Sequence, residues 1–530
     1  MGIVTPGLVA FVSAVLGWYF VSGALLWLTQ DSREPPALAT TVPFITPLIG
    51  MIRHKTKYTR MLWNKQNFPI YTLRLPFSRI YVVNSAALIT AVQRHPKILA
   101  FQPIEDSFAK RIIDPSDDCM ARAKKDVEEW QNAPSSAPTP SHVLFKGVAP
   151  GEGLDGMNRM MIQRLQDAIG GLAKELGNGK EKYVDLHEWI KHEITMATTE
   201  GVYGEGNPYR DPKLAEAFWK FEEGLGALSM GVLPNLLAKT AVGGRNILAE
   251  AFEEYFTKHV STSSSLTKGR HEYYTERGFT DKDIAKTEVG NGIAILSNTV
   301  PTAYWFTFHL FSKLEVLEAC RKEALSHVVE THGPDGLVKA VDVSKLKTSS
   351  PILLSAFKEA MRVHSIGVGI RMVMQDHMLA NQYLLKKGCI VIMPAAVQHF
   401  DSGLWGSDVA SYNHERFVPD PTKTRPRVSP VCFRGFGGGT TLCPGRHFAT
   451  TEVLVFVTML MLRFTVEAPE GWKQPTTDKA AMSAVVPGPD SDFKVVLKRR
   501  PEDEGVKWIW SLTGSDEGIK IAAEDMEEKL

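Results

Sequence analysis

The sequence predicts a mainly helical protein with small β-sheets, an α+β fold, preceded by one membrane-spanning helix. Three observations support this prediction. Helical periodicity dominates residues 157–375. Two shorter stretches, 69–85 and 383–394, alternate apolar and polar residues in the way that half-buried strands do. The first 30 residues contain no Lys, Arg, Asp or Glu, which is typical of a segment that lies in lipid.

Composition excludes several classes of protein. The 530 residues include 60 Lys plus Arg and 59 Asp plus Glu, so the net charge is +1. A nucleic-acid-binding protein needs a basic field to hold phosphates, and this chain has none. The five cysteines are odd in number, widely spaced and without a C-x-x-C pair, which argues against a disulfide framework and a zinc site. No nucleic-acid partner is expected.

The N-terminal apolar stretch, residues 7–28, has the length of a bilayer-crossing helix. A basic cluster at Arg53, His54, Lys55 and Lys57 follows it, so the body of the protein is expected on the cytoplasmic side. The alternative is a cleaved signal peptide. It is disfavoured because no basic residue precedes the apolar run and no small-x-small cleavage site follows it directly.

The remaining chain shows no internal repeat and no clear linker. We predict an anchor over residues 1–30, a Pro-rich spacer over 31–50, one large domain over 51–500 and a C-terminal tail over 501–530. Within the large domain, composition predicts a loop over residues 130–156. The tail is acidic and amphipathic, and its sequence indicates no role.

A glycine-rich stretch, "FGGGTTLCPGRHFA", places Cys443 directly before a predicted helix. Unpaired N–H groups at a helix N-terminus favour a thiolate, and a single shielded thiolate suits an axial haem ligand. Gly439 and Gly445 permit tight turns and close approach to a flat partner, and Phe436 is placed to cover the sulfur. The alternative is a buried structural cysteine in a glycine-rich turn.

Upstream, "SSPILLSAFKEAMRVHS" predicts a helix capped by Ser350, with Pro351 in its first turn. Glu359 and Arg362 are three residues apart and share one face of that helix. Taken alone, such a pair is usually a solvated surface pair. The apolar stripe of the helix is formed by Leu353, Leu354, Phe357 and Met361.

Together these motifs resemble the cytochrome P450 family over about residues 35–500. The family's haem signature, F-x-x-G-x-x-x-C-x-G, matches Phe436, Gly439, Cys443 and Gly445, and its E-x-x-R matches Glu359 and Arg362. The resemblance implies a cytochrome P450 fold with haem b, whose iron is ligated by the Cys443 thiolate.

The resemblance also implies roles for two further arginines. Arg416 of "YNHERF" looks like the third member of the family's structural salt-bridge network with Glu359 and Arg362. Arg371 lies where many members place an arginine that pairs with a haem propionate; the alternative is a surface arginine. At Thr441 many members carry Arg or His instead, so this chain departs from the family there.

The larger departure lies in the helix that faces oxygen in the family. Residues 297–302 read S-N-T-V-P-T, with Val300 and Pro301 in place of the usual acid and threonine. This pattern is similar to the branch that contains bile-acid sterol hydroxylases and prostacyclin synthase. Asn298, Thr299 and Thr302 are the candidate catalytic residues. The alternative for Asn298 is that it only caps a proline kink.

The resemblance implies a haem-thiolate monooxygenase anchored by a single span in the endoplasmic reticulum, with a cytoplasmic catalytic domain. Its expected partners are NADPH-cytochrome P450 reductase, the membrane and a large apolar substrate such as a sterol, terpenoid or polycyclic secondary metabolite. One alternative is an isomerase or dehydratase of the same fold that acts on a peroxide. Another is a haem-free membrane scaffold with vestigial motifs.

Overall fold

The computed structural model describes residues 6–134, 137–334, 336–419, 428–481, 484–514 and 518–525, with side chains except at 6–12, 14, 178 and 523. Helices dominate and the strands are short, so the predicted fold class, mainly helical with small sheets, is confirmed. In chain order the helices are α1 (Pro6–Thr29), α2 (Ile45–His54), α3 (Lys57–Gln66), α4 (Ala86–Gln93), α5 (Gln102–Ile112), α6 (Asp117–Asn132), α7 (Pro140–Leu144), α8 (Glu152–Glu175), α9 (Leu186–Tyr203), α10 (Pro212–Glu223), α11 (Leu225–Met230), α12 (Pro234–Leu237), α13 (Lys239–His259), α14 (Ser265–Glu276), α15 (Asp281–Leu296), α16 (Thr299–Phe311), α17 (Leu314–Leu325), α18 (Val343–Thr348), α19 (Pro351–His364), α20 (Ala395–His399), α21 (Ser402–Trp405) and α22 (Arg446–Arg463).

The strands belong to small sheets whose orders are β1-β2-β10-β7-β3, β11-β12-β4, β13-β6-β5 and β8-β9. Their bounds are β1 (Ile70–Leu75), β2 (Ser78–Val83), β3 (Leu99–Ala100), β4 (Glu181–Asp185), β5 (Val328–Gly333), β6 (Gly336–Asp342), β7 (Val368–Val373), β8 (His377–Leu379), β9 (Tyr383–Leu385), β10 (Ile390–Pro394), β11 (Phe464–Glu467), β12 (Lys494–Arg499) and β13 (Lys507–Ser511).

The chain forms two compact units, each built from separate stretches of sequence. Unit 1 contains Met1–Glu105, Ile366–Trp405 and Val428–Thr441. Unit 2 contains Asp106–Ser365, Gly406–Arg427 and Leu442–Leu530.

Unit 1 is organised around the five-stranded sheet. The predicted two-stranded ribbon is confirmed: β1 and β2 pair antiparallel, from Ile70 opposite Val83 to Leu75 opposite Ser78. The second predicted strand region forms β9 and β10, and β10 pairs parallel with β2 and antiparallel with β7. Alternate side chains of these strands are buried in one core, which includes Tyr81, Val83, Val373, Val391 and Met393.

Unit 2 is mostly helical and has α22 at its centre. Nearly every side chain from His447 to Arg463 is buried, which is typical of a helix that other elements surround. The tail predicted from residue 501 contributes β13, which pairs parallel with β6 from Lys507 opposite Val338 onward.

The loop predicted over residues 130–156 is wrong in part. Residues 130–132 still belong to α6, α7 spans Pro140–Leu144, and α8 begins at Glu152. The Thr139 hydroxyl caps α7 by accepting from the His142 N–H at 3.2 Å, and Pro140 occupies the first helical position. Proline at that position favours the start of a helix, and composition alone misses this.

The cap predicted for α19 is also wrong. Ser350 occupies the N-cap position, but its side chain makes no capping hydrogen bond. The Glu323 carboxylate instead accepts from the N–H groups of Ile352 and Leu353, at 3.0 and 2.8 Å. A charged acceptor from another helix makes stronger hydrogen bonds than a serine hydroxyl, so it replaces the local cap.

The predicted anchor region folds as the helix α1, which contains 24 residues. In the part of the chain that the structure describes, no helix combines the length and apolar character needed to cross a membrane. The side chains of residues 1–12 and 14 lie outside that part. The membrane anchor therefore stays a prediction.

Candidate active site

The cysteine turn, residues 442–445, lies in the sequence between a short 3-10 turn, Gly439–Thr441, and the helix α22. Cys443 precedes Gly445, which is the N-cap residue of α22. The helix predicted to follow the cysteine is therefore confirmed. Arg446 in the first turn donates from Nη1 to the Cys443 carbonyl oxygen at 3.1 Å, which fixes the backbone on the C-terminal side of the cysteine.

Cys443 differs from the other cysteines in the exposure of the residue as a whole, although its thiol group is itself buried. Cys443 is partly exposed, and Cys119, Cys320, Cys389 and Cys432 are buried. Burial raises the pKa of Cys443, but a hydrogen bond from the Gly445 backbone N–H and the charge of Arg446 act in the opposite direction. Burial raises the pKa of Cys432 to about 11. A donor N–H and a nearby cation are what a thiolate ligand needs.

The two signature glycines have different local roles. Gly439 has φ +60°, and a Cβ there would lie 2.9 Å from Cγ of Gln93, so this position requires glycine. Gly445 has φ −81°, and a Cβ on it would meet no other described atom within 4 Å. Phe436 lies with Gly439 in the loop of unit 1. The predicted tight turn is confirmed at Gly439.

The predicted trio of Glu359, Arg362 and Arg416 forms one buried network in unit 2. Arg362 donates from Nε and Nη2 to the two Glu359 carboxylate oxygens, both at 2.8 Å. Arg416 Nε reaches the same oxygens at 3.0 and 3.1 Å. Asp408 accepts two more hydrogen bonds from Arg416, each at 3.1 Å. Two carboxylates thus balance two guanidinium groups inside the protein.

Arg371 of β7 lies in unit 1 and is almost fully buried. Its Nη2 donates to the Thr441 hydroxyl at 2.8 Å, and its Nη1 donates to the Ile370 carbonyl at 2.8 Å. Within the described residues no carboxylate pairs with Arg371. Burial, together with the positive charge of Arg434, lowers the pKa of Arg371 to about 10. The alternative of a surface arginine is therefore wrong.

The predicted helix that contains Val300 and Pro301 is interrupted just before Pro301, as the proline predicts. α15 ends at Leu296 and α16 begins at Thr299. Pro301 has no N–H to donate to the Ser297 carbonyl, so the hydrogen-bond ladder is interrupted between the two helices. Thr280 caps the start of α15 by accepting from the Asp283 N–H at 3.2 Å.

The three candidate catalytic residues surround this break. The Asn298 side-chain oxygen accepts from the Val486 N–H at 3.3 Å and makes no capping hydrogen bond to α16. The Thr299 and Thr302 hydroxyls donate to the carbonyls of Ile295 and Asn298, at 2.9 and 2.7 Å. Asn298 therefore links the break to the segment at Val486, and the alternative that it only caps the kink is wrong.

Other chain segments of unit 2 converge on the same break. Trp305 Nε1 donates to the Pro487 carbonyl at 2.8 Å. Burial raises the pKa of Glu222 at the end of α10, and the neighbouring Ser297 hydroxyl partly offsets this. The closeness of Glu222 to Ser297 was not predictable from the sequence, because 75 positions separate them.

Two further arginines were missed by sequence reasoning. Arg434 lies close to Arg371 in unit 1, and only the charge within "CFRGFGGG" pointed to it. Arg446 contacts the cysteine carbonyl and was hidden inside the motif itself. Among the described residues no group of three or more His, Cys, Asp or Glu is arranged to hold a metal ion.

Three features together define the class of haem-thiolate enzymes. They are the buried ion network on α19, the single cysteine before α22 and the break between α15 and α16. The sequence model of the family "Cytochrome P450" matches residues 36–495. The chain therefore belongs to the cytochrome P450 family, and it is a monooxygenase of that family. Members carry a haem whose iron is ligated by a cysteine thiolate.

Similar proteins are found in fungi and mammals. "Cytochrome P450 monooxygenase nodJ" of Hypoxylon pulicicidum is 33% identical over 497 residues, which cover 92% of this chain and 94% of that protein. A "Cytochrome P450 monooxygenase" of Gibberella zeae is 27% identical, with 92% and 93% covered. "Cholesterol 7-alpha-monooxygenase" of Cricetulus griseus is 23% identical, with 92% and 99% covered. The predicted resemblance to the bile-acid sterol hydroxylases is confirmed.

Proposed function

We propose that this chain oxidises a large apolar substrate of the sterol, terpenoid or polycyclic secondary-metabolite class. Electrons come from NADPH-cytochrome P450 reductase, and the protein is held at the endoplasmic reticulum membrane with its catalytic domain in the cytoplasm. The observation that carries the proposal is the cysteine turn, in which the Cys443 thiol receives the Gly445 backbone N–H and lies near the charge of Arg446.

The described residues fit a haem group. Cys443 is the iron ligand, and Gly445 leaves space beside it because a Cβ there would meet no other described atom within 4 Å. In unit 1, taken by itself, Arg371 and Arg434 are two neighbouring cations that would suit propionate carboxylates, and Thr441 supplies a hydroxyl that contacts Arg371. When bound, the haem supplies the activation of dioxygen that the family performs.

The protein's own groups then orient the substrate and deliver protons. Because Val300 and Pro301 replace the usual acid and alcohol, the polar groups at the break take over this role. The Thr299 hydroxyl already donates to the Ile295 carbonyl of α15, and the Thr302 hydroxyl donates to the Asn298 carbonyl. The Asn298 side chain is therefore the leading candidate to hold a water beside the substrate, and Glu222, whose pKa burial raises and which lies beside Ser297, is a candidate proton donor.

The substrate class follows from the side chains around this break. Val486 and Pro487 contact Asn298 and Trp305, and a Cβ on Gly292 would lie 2.9 Å from the Phe218 ring. Apolar residues are therefore neighbours of the polar atoms at the break, and sites for apolar ligands combine these two kinds of residue. The relative named for cholesterol supports the same class.

Membrane attachment is supported by exposed apolar side chains outside α1. In unit 1, Leu48, Ile49 and Ile52 of α2 are exposed, and in unit 2 Leu236 and Leu237 of α12 are more than half exposed. Contiguous exposed apolar surface commonly contacts lipid or protein. Together with the uncharged first 30 residues, this supports a single-pass anchor.

A second candidate function keeps the haem and omits oxygen activation. The observation that favours it is the same departure: no acid-alcohol pair is present at Val300 and Pro301, and both neighbouring threonine hydroxyls already donate to backbone carbonyls. Such an enzyme would isomerise or dehydrate a peroxide.

Labelled dioxygen distinguishes the two functions. The purified enzyme, its reductase and NADPH are incubated with a candidate sterol or terpenoid under ¹⁸O₂. We expect one labelled oxygen atom in the product and no product without NADPH. In Asn298→Ala, NADPH oxidation per product should rise, because protons are delivered less accurately. Unlabelled product formed without reductase would instead establish the peroxide reaction.

A further inference from the structure

The last described segment of the chain, Gly518–Asp525, lies against the start of α22 in unit 2. Ile519, Ile521 and Ala522 are each 4% exposed or less. An acidic tail that merely extended into water would not bury its apolar residues, so this segment belongs to the folded unit.

The contact is built on a buried ion pair between Asp525 and Arg446. Arg446 donates from Nε to Oδ1 of Asp525 at 3.0 Å and from Nη2 to the same oxygen at 2.5 Å. The two side chains are only 9% and 17% exposed. Burial alone would raise the pKa of Asp525, but the hydrogen bonds from Arg446 and from the Ala522 N–H lower it, so the carboxylate is charged at neutral pH.

Arg446 connects this pair to the cysteine. Its third nitrogen, Nη1, donates to the Cys443 carbonyl at 3.1 Å. An arginine side chain loses much rotamer freedom when it is held in place. Asp525 provides that restraint, because it binds two of the guanidinium nitrogens and leaves Nη1 directed at the turn.

Two further hydrogen bonds hold the same segment in place. The Ile519 N–H donates to Nδ1 of His447 at 3.2 Å. Lys358, next to Glu359 on α19, donates from Nζ to the Lys520 carbonyl at 2.8 Å. Gly518 also lies close, since a Cβ there would be 2.9 Å from Cε1 of His447. The segment therefore ties the start of α22 to the helix of the buried ion network.

We propose that Gly518–Asp525 is a C-terminal strap that positions the cysteine turn, with Asp525 as a positioning residue that acts on Cys443 through Arg446. The proposal rests on the assignment of Cys443 as the iron ligand. The strap does two things: it fixes the backbone beside the ligand, and its carboxylate balances the charge of Arg446 near the sulfur.

The charge balance predicts the direction in which the reduction potential of the haem shifts in each variant. Removing the Asp525 charge leaves the positive charge of Arg446 unopposed beside the ligand, which favours the reduced iron. The reduction potential of the haem should therefore shift to more positive values in Asp525→Asn. It should shift in the opposite direction in Arg446→Gln. A purely structural role for the tail predicts no such opposite signs.

A matched control lies at the other end of the same helix. Arg463, the last residue of α22, pairs with buried Asp503 at 3.1 Å. Asp503→Asn breaks a buried ion cluster far from the cysteine along the helix, because Asp503 pairs with Arg499 at 2.9 Å as well as with Arg463. It should lower stability and leave the reduction potential at the wild-type value. Asp525→Glu keeps the carboxylate and should restore most of the wild-type potential.

The experiment measures the potential by spectroelectrochemistry on full-length holoprotein, and hydrogen-deuterium exchange over residues 437–446. We expect a positive shift and faster exchange in Asp525→Asn, and smaller changes of the same sign in Asp525→Glu. If Asp525→Asn yields no holoprotein, hydrogen-deuterium exchange in Asp525→Glu tests the proposal instead. Unchanged exchange and potential, or a shift equal to that of Asp503→Asn, would overturn the proposal.

The two assignments fail in distinguishable ways. If the wild type shows a thiolate-ligated spectrum that Cys443→Ala loses, the ligand assignment stands whatever the strap variants do. If Asp525→Asn then leaves the potential unchanged, only the strap is refuted. If Cys443→Ala keeps the spectrum, the strap fails together with the ligand assignment.

Discussion

Two buried groups of arginines in this protein differ in what balances their charge. In unit 2, Arg362 and Arg416 are matched by the carboxylates of Glu359 and Asp408. In unit 1, Arg371 donates to a hydroxyl and a carbonyl, both neutral. The first group is complete without a ligand, and Arg371 fits an anion that the described residues do not supply.

The difference teaches how to separate structural from ligand-binding charge. A balanced buried network stabilises the fold only as a whole, because removal of one member leaves an uncompensated charge. A buried cation with neutral partners costs stability in the free protein and recovers it when an anion binds. Replacing a buried arginine by glutamine should therefore have opposite effects on the stability of the apoprotein in the two units.

The largest effect is expected for Glu359→Ala. It leaves Arg362 and Arg416 facing each other without their shared carboxylate, which should cost about 3 to 5 kcal/mol and prevent accumulation of holoprotein. Haem content and thermal unfolding measure the result. The control Glu188→Ala breaks an exposed pair with Lys191 of the same spacing and should cost less than about 1 kcal/mol. Equal effects would contradict the structural role.

Arg371→Gln should behave in the opposite way. The apoprotein should unfold no more easily than wild type, because a buried cation with neutral partners is removed. Haem retention should fall by roughly 10- to 100-fold, because one charge-assisted hydrogen bond to the haem is lost. Haem transfer to apomyoglobin and thermal unfolding of the apoprotein measure the two quantities. Arg416→Gln is the matched control, and it should destabilise the apoprotein.

A smaller effect is expected at Glu452, which is buried in α22 without a cation. Burial raises its pKa to about 8, although the Thr198 hydroxyl donates to it at 2.8 Å. The unfolded state ionises near pH 4.3, so the folded state binds more protons above that pH, and the stability that this group contributes falls as pH rises towards 8.

The variant Glu452→Gln removes that dependence. Relative to wild type, its stability should increase by about 2 kcal/mol between pH 5 and pH 7, because the limit of about 1.4 kcal/mol per pH unit applies over two units. Thermal unfolding across this range measures it, with the exposed Glu467→Gln as the control. A difference that is constant with pH would mean that Glu452 is ionised in the fold.

Local patterns predicted those parts of the fold and site whose cause lies within a few residues. The spacing of Glu359 and Arg362 places them on one face, and Pro301 marks the break in the long helix. The alternation in residues 69–85 predicts the first two strands. The family resemblance added Arg416, which is 54 positions beyond Arg362 and has no local signal.

The features that were missed depend on contacts between distant positions. Glu323 replaces Ser350 as the cap of α19, and the proximity of Glu222 to Ser297 depends on how α10 packs. Asp525 reaches Arg446 across 79 positions. A single acidic residue in an acidic tail carries no sequence signal for such a pairing, because its partner is set by tertiary packing.

The reduced carbon-monoxide spectrum of two cysteine variants tests the central claim most directly. Both Cys443 and Cys432 lie near the glycine-rich loop in sequence, and Cys432 is buried. We predict that Cys443→Ala abolishes the spectrum of a thiolate-ligated haem and that Cys432→Ala leaves it intact. A thiolate spectrum that survives in Cys443→Ala and is lost in Cys432→Ala would contradict the account.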